Sequence, residues 1–549
     1  MTPLILQWLT DYSRAPLFLA AVAILIAGIA SYLWRPDKSA IPSLSGTIPR
    51  LSITLLYMTN MKSFLARARN ALRQRNIVQF YLGPMKVYLI AGTNNIQAMF
   101  RTSASVSSDI FFLMVQEHIW GSTKEDLAKF ANDKSGRLQN PAPGTEKTPD
   151  QERYWAGMHR TIHSYLARTH ETNALAGSYQ RFFGQQLDRF QVGREAEVCI
   201  YDFLLKDMAE AAITSINGRR VLDVNPGLLE ILWRFHEIAA SLVWGLPKWL
   251  NRESWKRRDQ LQAACARYLK SALSDFDWSQ GADPDWEPIF GSRFTRELVR
   301  WMTESGFALT TMAGGLANMT VFGGNANTIP VAAWCVMEVV KDPALLKVVR
   351  EEVMTAYEIA PASGQKTINA QALLSLPLLQ SIYIEGLRLH VSMNVTRQIT
   401  GPVELGGVTL EKGAILQAAT EITHYDEEIW GAQGHPASEF WAERHVKYVN
   451  DVGADGQTKR VRQFAMAGKP NDFFPYGGGV SICPGRFFAK QEIMLTIAML
   501  VSRFDIEFVE WVNRDGTPSD RPAQNDSRWS GGASVPPDRD MKVLWKRLW

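Results

Sequence analysis

Cysteine is scarce in this 549-residue sequence, and charge of either sign is modest. The cysteines at positions 199, 265, 335 and 483 lie far apart without a Cys-x-x-Cys pair, which argues against a zinc site or a disulfide framework. Charged residues make up 21%, the net charge is +4, and no basic stretch is interleaved with aromatics, so no nucleic-acid partner is expected. These features indicate a reducing compartment and one cysteine with a special role.

Apolar residues are abundant, and helical patterns dominate from about 154 to 358. The sequence is 46% hydrophobic, with 25 Phe and 18 Trp, which suffices for a large core and a large apolar pocket. The fold class expected is mainly α with small β-sheets, as one large helical domain. The other patterns predict a hairpin over 78–91, helices over 377–389 and 484–504, short strands over 395–410, and irregular chain over 441–475.

The N-terminal region contains a long uncharged and strongly apolar run. Residues 15–34 carry no charge over 20 positions, long enough for a helix to cross a bilayer core of about 30 Å. Trp34 suits an interface, and Arg35 and Lys38 suit the cytosolic side. We therefore predict a tail at 1–14, a single-pass transmembrane anchor at 15–34, a linker at 35–50 and a catalytic domain at 51–549.

The segment 472–490 reads DFFPYGGGVSICPGRFFAK and surrounds Cys483 with glycines. A thiolate that binds iron must be shielded from water and protons. Backbone N–H groups that point at the sulfur stabilise its charge, and glycines let the backbone come close enough. The helix that starts near Pro484 adds a positive N-terminal dipole. The composition is therefore typical of a cysteine that binds iron.

This segment resembles the heme-binding loop of cytochromes P450, whose pattern is Phe-x-x-Gly-x-x-x-Cys-x-Gly. Gly479, Cys483 and Gly485 match the pattern. Tyr476 stands in the position of the phenylalanine, and Ser481 stands where many members have an arginine or histidine that contacts a heme propionate. The resemblance implies a cytochrome P450 fold that binds heme b, with Cys483 as the ligand of the iron.

Two further segments resemble structural motifs of that family, in the same order along the chain. Glu385 and Arg388 match its Glu-x-x-Arg pair, and the spacing of three places both on one helix face. The segment 440–445, FWAERH, resembles Phe-x-Pro-Glu-Arg-Phe, so Arg444 would complete a Glu-Arg-Arg cluster. A carboxylate held by planar guanidinium groups is rigid, which suits a role in holding the core around the heme loop.

Propionate contacts follow from the same resemblance. The segment 154–160, YWAGMHR, resembles Trp-x-x-x-Arg, with His159 in the position of the arginine and Arg160 beside it. Trp155 with either His159 or Arg160 would bind a propionate. Arg397, just beyond the Glu385 helix, matches another propionate ligand of the family.

The segment 322–334, FGGNANTIPVAAW, resembles the central helix of the sterol 7α-hydroxylase and prostacyclin synthase branch. Gly323 and Gly324 weaken helical geometry and make room for a bound molecule, and Pro330 favours a kink. We therefore expect an oxygen-binding groove here.

The acid-alcohol pair that most of the family uses to relay protons is missing from this helix. Ala326 replaces the acid and Asn327 replaces the alcohol, with Thr328 next. The sterol hydroxylases share this pattern and consume oxygen, but prostacyclin synthase also lacks the pair. The residues expected to act in catalysis are Asn327, Thr328, Gly323 and Gly324.

The resemblance implies a monooxygenase that uses O2 and electrons from NADPH, delivered by NADPH-cytochrome P450 reductase. Anchored family members imply the endoplasmic reticulum membrane, with the catalytic domain in the cytosol. The expected substrate is a small but bulky hydrophobic molecule, such as a terpenoid, a steroid-like compound or a prenylated polycycle of fungal secondary metabolism. The alternatives are a reductase-independent isomerase or dehydratase acting on a peroxide, and a heme-binding sensor without turnover.

Overall fold

The computed structural model describes residues 40–549, apart from 49, 103–104, 280–282, 360–365, 453–457 and 469. The predicted tail at 1–14, the predicted anchor at 15–34 and the first part of the predicted linker lie outside the described residues. Within the described part of the chain, no helix combines the length and the apolarity needed to cross a membrane.

Helices form most of the regular structure, as predicted. The α-helices are Leu51–Thr59, Met61–Leu72, Thr93–Arg101, Asp109–His118, Lys124–Asn132, Tyr154–Leu166, Thr169–Asp188, Ile200–Phe203, Ala209–Asn217, Arg220–Asp223, Leu228–His236, Ala239–Leu242, Arg252–Asp275, Arg293–Glu304, Leu309–Leu316, Thr328–Val340, Pro343–Met354, Ala370–Ser375, Pro377–His390, Thr420–His424, Glu427–Trp430 and Arg486–Arg503. Short π-helices span Leu204–Met208 and Ala317–Phe322, and 3-10 turns span Asp150–Glu152, Pro470–Asp472, Gly479–Ser481 and Ser527–Trp529.

The strands form small sheets around this helical core. A five-stranded mixed sheet has the order Ile77–Leu82, Met85–Ile90, Ile415–Ala419, Asn394–Ile399 and Val106–Ser107. A four-stranded antiparallel sheet has the order Pro518–Ser519, Phe504–Val512, Asp540–Arg547 and Glu195–Cys199. Two-stranded pairs join Trp286–Glu287 to Gly291–Ser292, Tyr357–Ile359 to Lys366–Ile368, Glu404–Leu405 to Val408–Thr409, and Val446–Val452 to Thr458–Phe464.

One secondary-structure prediction is wrong. The stretch 441–475 was expected to be irregular, but Val446–Val452 and Thr458–Phe464 pair as an antiparallel ribbon, with Val449 opposite Val461. Most residues of Thr458–Phe464 are exposed or half-buried, so the ribbon has no buried face. Without a buried face, the sequence lacks the alternation of apolar and polar residues by which a strand is recognised.

The core is centred on the helix Thr328–Val340, in which every residue except Glu338 is buried. This helix packs between Pro377–His390 and Arg486–Arg503. An apolar helix buried on all sides has no amphipathic stripe, and its position depends on its neighbours. Those neighbours carry Glu385 and the chain that follows Cys483, so the packing brings the central segment 322–334 close to the glycine-rich loop.

Candidate active site

The glycine-rich loop bends sharply before it reaches Cys483. Gly477 and Gly479 have φ angles of +71° and +68°. A Cβ atom on Gly479 would lie 2.6 Å from the carbonyl oxygen of Phe100, so no larger residue fits there. The loop closes with a hydrogen bond of 3.0 Å from the Cys483 N–H to the Tyr476 carbonyl oxygen. The glycines thus let the loop pack against its neighbour and present Cys483 ahead of the helix Arg486–Arg503.

The Cys483 side chain is exposed, and it lines a cavity in the interior of the molecule. Burial raises the pKa of the Cys483 thiol, whereas the backbone N–H groups of Gly485 and Arg486 and the charge of Arg486 lower it. This donor set suits a thiolate bound to a metal, because a metal ion supplies the remaining stabilisation of the charge. In the described part of the chain, no cluster of three or more His, Cys, Asp or Glu side chains could hold a metal ion.

The central segment forms the opposite wall of the same cavity. About 940 Å³ of space free of protein atoms, including its opening, lies between the two walls. We call this space the central cavity; its lining includes Gly323, Gly324, Asn327, Thr328, Tyr476 and Cys483. All four residues expected to act in catalysis therefore face the cysteine across one cavity.

The central segment departs from α-helix geometry where it passes the cavity. The π-helix Ala317–Phe322 leads into a turn over 323–327, and α-helix resumes at Thr328. The kink expected from Pro330 lies before that residue. Because Pro330 occupies the first turn of the helix Thr328–Val340, its missing N–H costs little. The break instead coincides with Gly323, where a Cβ atom would lie 2.5 Å from the Asn318 carbonyl oxygen. A π-helix is frequent at functional sites.

Asn327 connects this segment to the C-terminal loop. Its side-chain carbonyl oxygen accepts a hydrogen bond of 3.2 Å from the Ser534 backbone N–H. Asn327 lines the central cavity together with Cys483, and its amide NH₂ is a hydrogen-bond donor that the contact with Ser534 does not use.

Glu385, Arg388 and Arg444 meet in the buried core beside the cavity. Arg388 donates hydrogen bonds of 2.6 and 2.9 Å to the two carboxylate oxygens of Glu385, and Arg444 Nε donates one of 3.0 Å. His445 adds a fourth contact of 3.3 Å to Glu385. Burial alone would raise the pKa of Glu385, but hydrogen bonds from Arg388 and His445 lower it to about 2. The carboxylate is therefore ionised and fully engaged.

His445 is a member of this cluster that the sequence motif did not identify. It stands in the last position of FWAERH, where the family pattern has phenylalanine. Its Nδ1 accepts a hydrogen bond of 3.0 Å from the Ala467 N–H, so the ring bridges the carboxylate and the chain that leads to the heme loop. The signal in the sequence was the polar residue in an aromatic position.

Arg397 is a guanidinium group beside the glycine-rich loop. Within the described residues it donates to the carbonyl oxygens of Thr396 and Gly478, at 2.9 and 3.2 Å, and makes no ion pair. Burial, and then repulsion by Arg137, lower the pKa of Arg397 to about 10. A half-buried cation next to the heme loop fits a ligand that carries a carboxylate there.

The residues of the Tyr154–Leu166 helix that are predicted to contact a heme propionate lie in different surroundings. Arg160 points to solvent, with 63% of its side chain exposed, and pairs with Asp150 at 3.2 Å. The indole N–H of Trp155 donates to the Phe130 carbonyl oxygen at 2.9 Å. His159 is half-buried and stacks on His163, with 3.9 Å between the ring centroids.

Comparison with known proteins agrees with these features. The family model for cytochrome P450 matches residues 303–521, which include the central segment, the Glu385 cluster and the Cys483 loop. The cytochrome P450 monooxygenase calL of Penicillium decumbens is 48% identical over 510 residues, covering 92% of this chain and 93% of that protein. The chain belongs to the cytochrome P450 family. As a P450, the protein is a monooxygenase that binds heme, uses O2 and receives electrons through a reductase.

Two more distant relatives extend the comparison. A cholesterol 7-alpha-monooxygenase of Cricetulus griseus is 27% identical over 333 residues, covering 57% of this P450 and 60% of that protein. The predicted similarity to sterol 7α-hydroxylases is thus confirmed. The solved structure of retinoic acid-bound cyanobacterial CYP120A1 has a TM-score of 0.62 at 16% identity, over 93% of this chain and all of that one. This structure supports the fold alone.

Proposed function

We propose that this P450 oxidises a terpenoid, steroid-like or prenylated polycyclic molecule in fungal secondary metabolism. The observation that carries the proposal is the apolar lining of the central cavity. Besides the polar residues named above, the lining includes Ile216, Phe294, Met319, Leu387 and Phe488. An apolar cavity of this kind suits hydrophobic polycyclic skeletons. Metabolite profiling of a knockout, with difference spectra against a panel of polycycles, tests the substrate class.

We propose that Asn327 orients a water molecule that carries protons, with Thr328 in support. An amide is not an acid at working pH, so it has to act through a group that can pass on a proton. The hydrogen bond to Ser534 supports this role because it holds the side-chain amide in place at the wall of the central cavity and leaves its NH₂ for another acceptor. The role is thus donation to a bound water.

Asn327→Ala is expected to keep heme and substrate binding while slowing product formation by roughly one to two orders of magnitude. Electrons from NADPH should be diverted to hydrogen peroxide, because the water that delivers the protons is no longer held in position. Asn327→Thr should retain part of the activity, since a hydroxyl can also position water. The measurement is product formed per NADPH consumed, beside peroxide release.

Asn325→Ala is the matched control for this experiment. Asn325 lies in the same turn, but it is buried and donates to the Val321 carbonyl oxygen at 2.7 Å. We expect this variant to keep wild-type coupling. Wild-type coupling in Asn327→Ala would make that residue a packing element.

We propose that residues 15–34 anchor the protein in the endoplasmic reticulum membrane, with the catalytic domain in the cytosol. An exposed apolar surface supports this proposal. It joins one face of Leu51–Thr59 to the loop 243–250, where the Trp244 and Tyr57 rings lie 6.5 Å apart. We call it the apolar rim; its exposed members are Leu51, Leu55, Met58, Trp244, Leu246, Trp249 and Leu250. Because only 16 residues separate Trp34 from Leu51, the first residue of the rim, one bilayer surface could contact both.

Deletion of residues 1–34 is expected to release part of the heme-loaded protein from membranes, because it removes the apolar run 15–34, which is long enough to span a bilayer. Trp249→Ser combined with this deletion should release most of the remainder. The fraction of heme in the supernatant after ultracentrifugation measures both effects. Retention of the deletion variant through alkaline carbonate extraction would mean that another segment is embedded.

We further propose NADPH-cytochrome P450 reductase as the specific electron donor. The relatives described above carry names of monooxygenases, which favours this over an isomerase or dehydratase that needs no reductase. Consumption of NADPH that depends on both the reductase and a substrate tests the assignment.

A further inference from the structure

A second cavity, beside the heme loop, contains two arginines rather than the one predicted. The cavity is lined by Arg137, Arg397, Ser108, Ser481, Gly478 and Gly479. Arg137 lies in the loop after the helix Lys124–Asn132, and no motif in the sequence marks it. The cavity therefore contains a second cationic side chain, Arg137, that the family pattern does not predict.

Arg137 is held in place from two sides. Its guanidinium carbon lies 4.0 Å from the centroid of the Trp155 ring, a cation–π contact. Its Nη2 also forms an ion pair with Asp109, the first residue of the helix Asp109–His118. Only 15% of the Arg137 side chain is exposed, so the charge is largely desolvated. Trp155 thus supports a cation with its ring face while its N–H is used elsewhere.

The cavity has an excess of positive charge. Arg137 and Arg397 contribute two cations, and Asp109, half-exposed, is the anion that acts on both. The remaining lining is uncharged and includes the Ser108 and Ser481 hydroxyls, which share a hydrogen bond of 2.8 Å. Two guanidinium groups and one carboxylate have a net positive charge, which the carboxylate of a bound ligand would neutralise.

We propose that Arg137 holds a heme carboxylate beside Arg397, and that Trp155 and Asp109 position it for this contact. In this chain, three positions where the family pattern leads one to expect a cationic contact to a heme carboxylate do not supply one. Ser481 replaces a cationic residue of the heme loop, Arg160 faces solvent, and His159 is neutral. Burial, and then the charges of His163 and Arg137, lower the pKa of His159, so its ring carries little charge near pH 7.

Arg137→Ala should release heme to excess apomyoglobin roughly tenfold faster than the wild type, because a charge-assisted hydrogen bond to the carboxylate is lost. The reduction potential should become more negative, because a cation near the heme is removed. Arg137→Lys should give a rate of heme release and a reduction potential between those of the wild type and Arg137→Ala, since lysine keeps the charge but loses the two-pronged hydrogen bonding of a guanidinium group. Arg160→Ala, which removes the predicted but solvent-exposed arginine, should behave as the wild type.

Asp109→Asn separates this role from a merely structural one. Arg137→Ala and Asp109→Asn break the same ion pair, so a structural role requires that both variants change heme release alike. The proposal requires opposite signs: Asp109→Asn should keep or slow heme release and should make the potential more positive. Heme release at the wild-type rate in Arg137→Ala would overturn the proposal, as would equal effects in the two variants. If Arg137→Ala does not fold, Arg137→Lys and Asp109→Asn give the same comparison.

Discussion

Replacement of Cys483 by serine is expected to abolish the red-shifted carbon monoxide band of the reduced protein, and product formation with it. Only a thiolate opposite the carbon monoxide gives that band, and a hydroxyl is not ionised under the same conditions. Cys483 is the cysteine that lines the central cavity, and the N–H groups of Gly485 and Arg486 act on its sulfur. The loop geometry depends on its glycines, so the variant should still fold.

The matched control is Cys199→Ser. Cys199 is half-buried at the end of the strand Glu195–Cys199, whereas Cys483 lies in the glycine-rich loop. Its replacement should leave the carbon monoxide spectrum and the heme content unchanged. A normal red-shifted band in folded Cys483→Ser would mean that another cysteine is the ligand, and the active-site assignment would fail.

Glu385→Ala and Arg388→Ala are each expected to yield little heme-loaded protein. Both side chains are fully buried and bonded to each other at 2.6 Å. Removal of one partner leaves an uncompensated buried charge, which costs on the order of 3–5 kcal/mol. The free energy of unfolding of a whole domain is only about 5–15 kcal/mol. A loss of this size, next to the heme loop, should prevent stable incorporation of the cofactor.

The measurement is heme content per polypeptide together with the thermal unfolding midpoint. Glu351→Ala is the control, because Glu351 is an exposed residue on the helix Pro343–Met354, and its loss should be neutral. Normal heme content and normal thermal stability in both cluster variants would contradict the structural role of Glu385 and Arg388.

The sequence was informative where chemistry fixes both residue type and spacing. The positive φ angles of Gly477 and Gly479 and the position of Cys483 follow from the demands of a shielded thiolate. Glu385 and Arg388 are one helical turn apart, so their contact is local. The long apolar helices were recognisable for the same reason, since burial imposes a composition on every position.

The rest depended on packing between distant parts of the chain. Arg137 meets Trp155 and Asp109 through tertiary contacts, and a loop arginine carries no mark of its partners. His159 is half-buried whereas Arg160 faces solvent, because of the rotation of their helix about its axis, which the motif alone does not specify. His445 occupies an aromatic position of the motif, so the pattern did not suggest a polar contact. These residues differ from the family pattern at positions around the site, where different side chains can serve the same purpose.

The most direct test of the account is a turnover assay under ¹⁸O₂ with NADPH, the reductase and the substrate found by metabolite profiling. A heme-thiolate monooxygenase transfers one oxygen atom from O2 to its product. We therefore expect one ¹⁸O atom in each hydroxylated product, with formation that stops when NADPH or the reductase is omitted. Product formed from a peroxide without NADPH, and without label from ¹⁸O₂, would contradict the monooxygenase assignment and favour an isomerase.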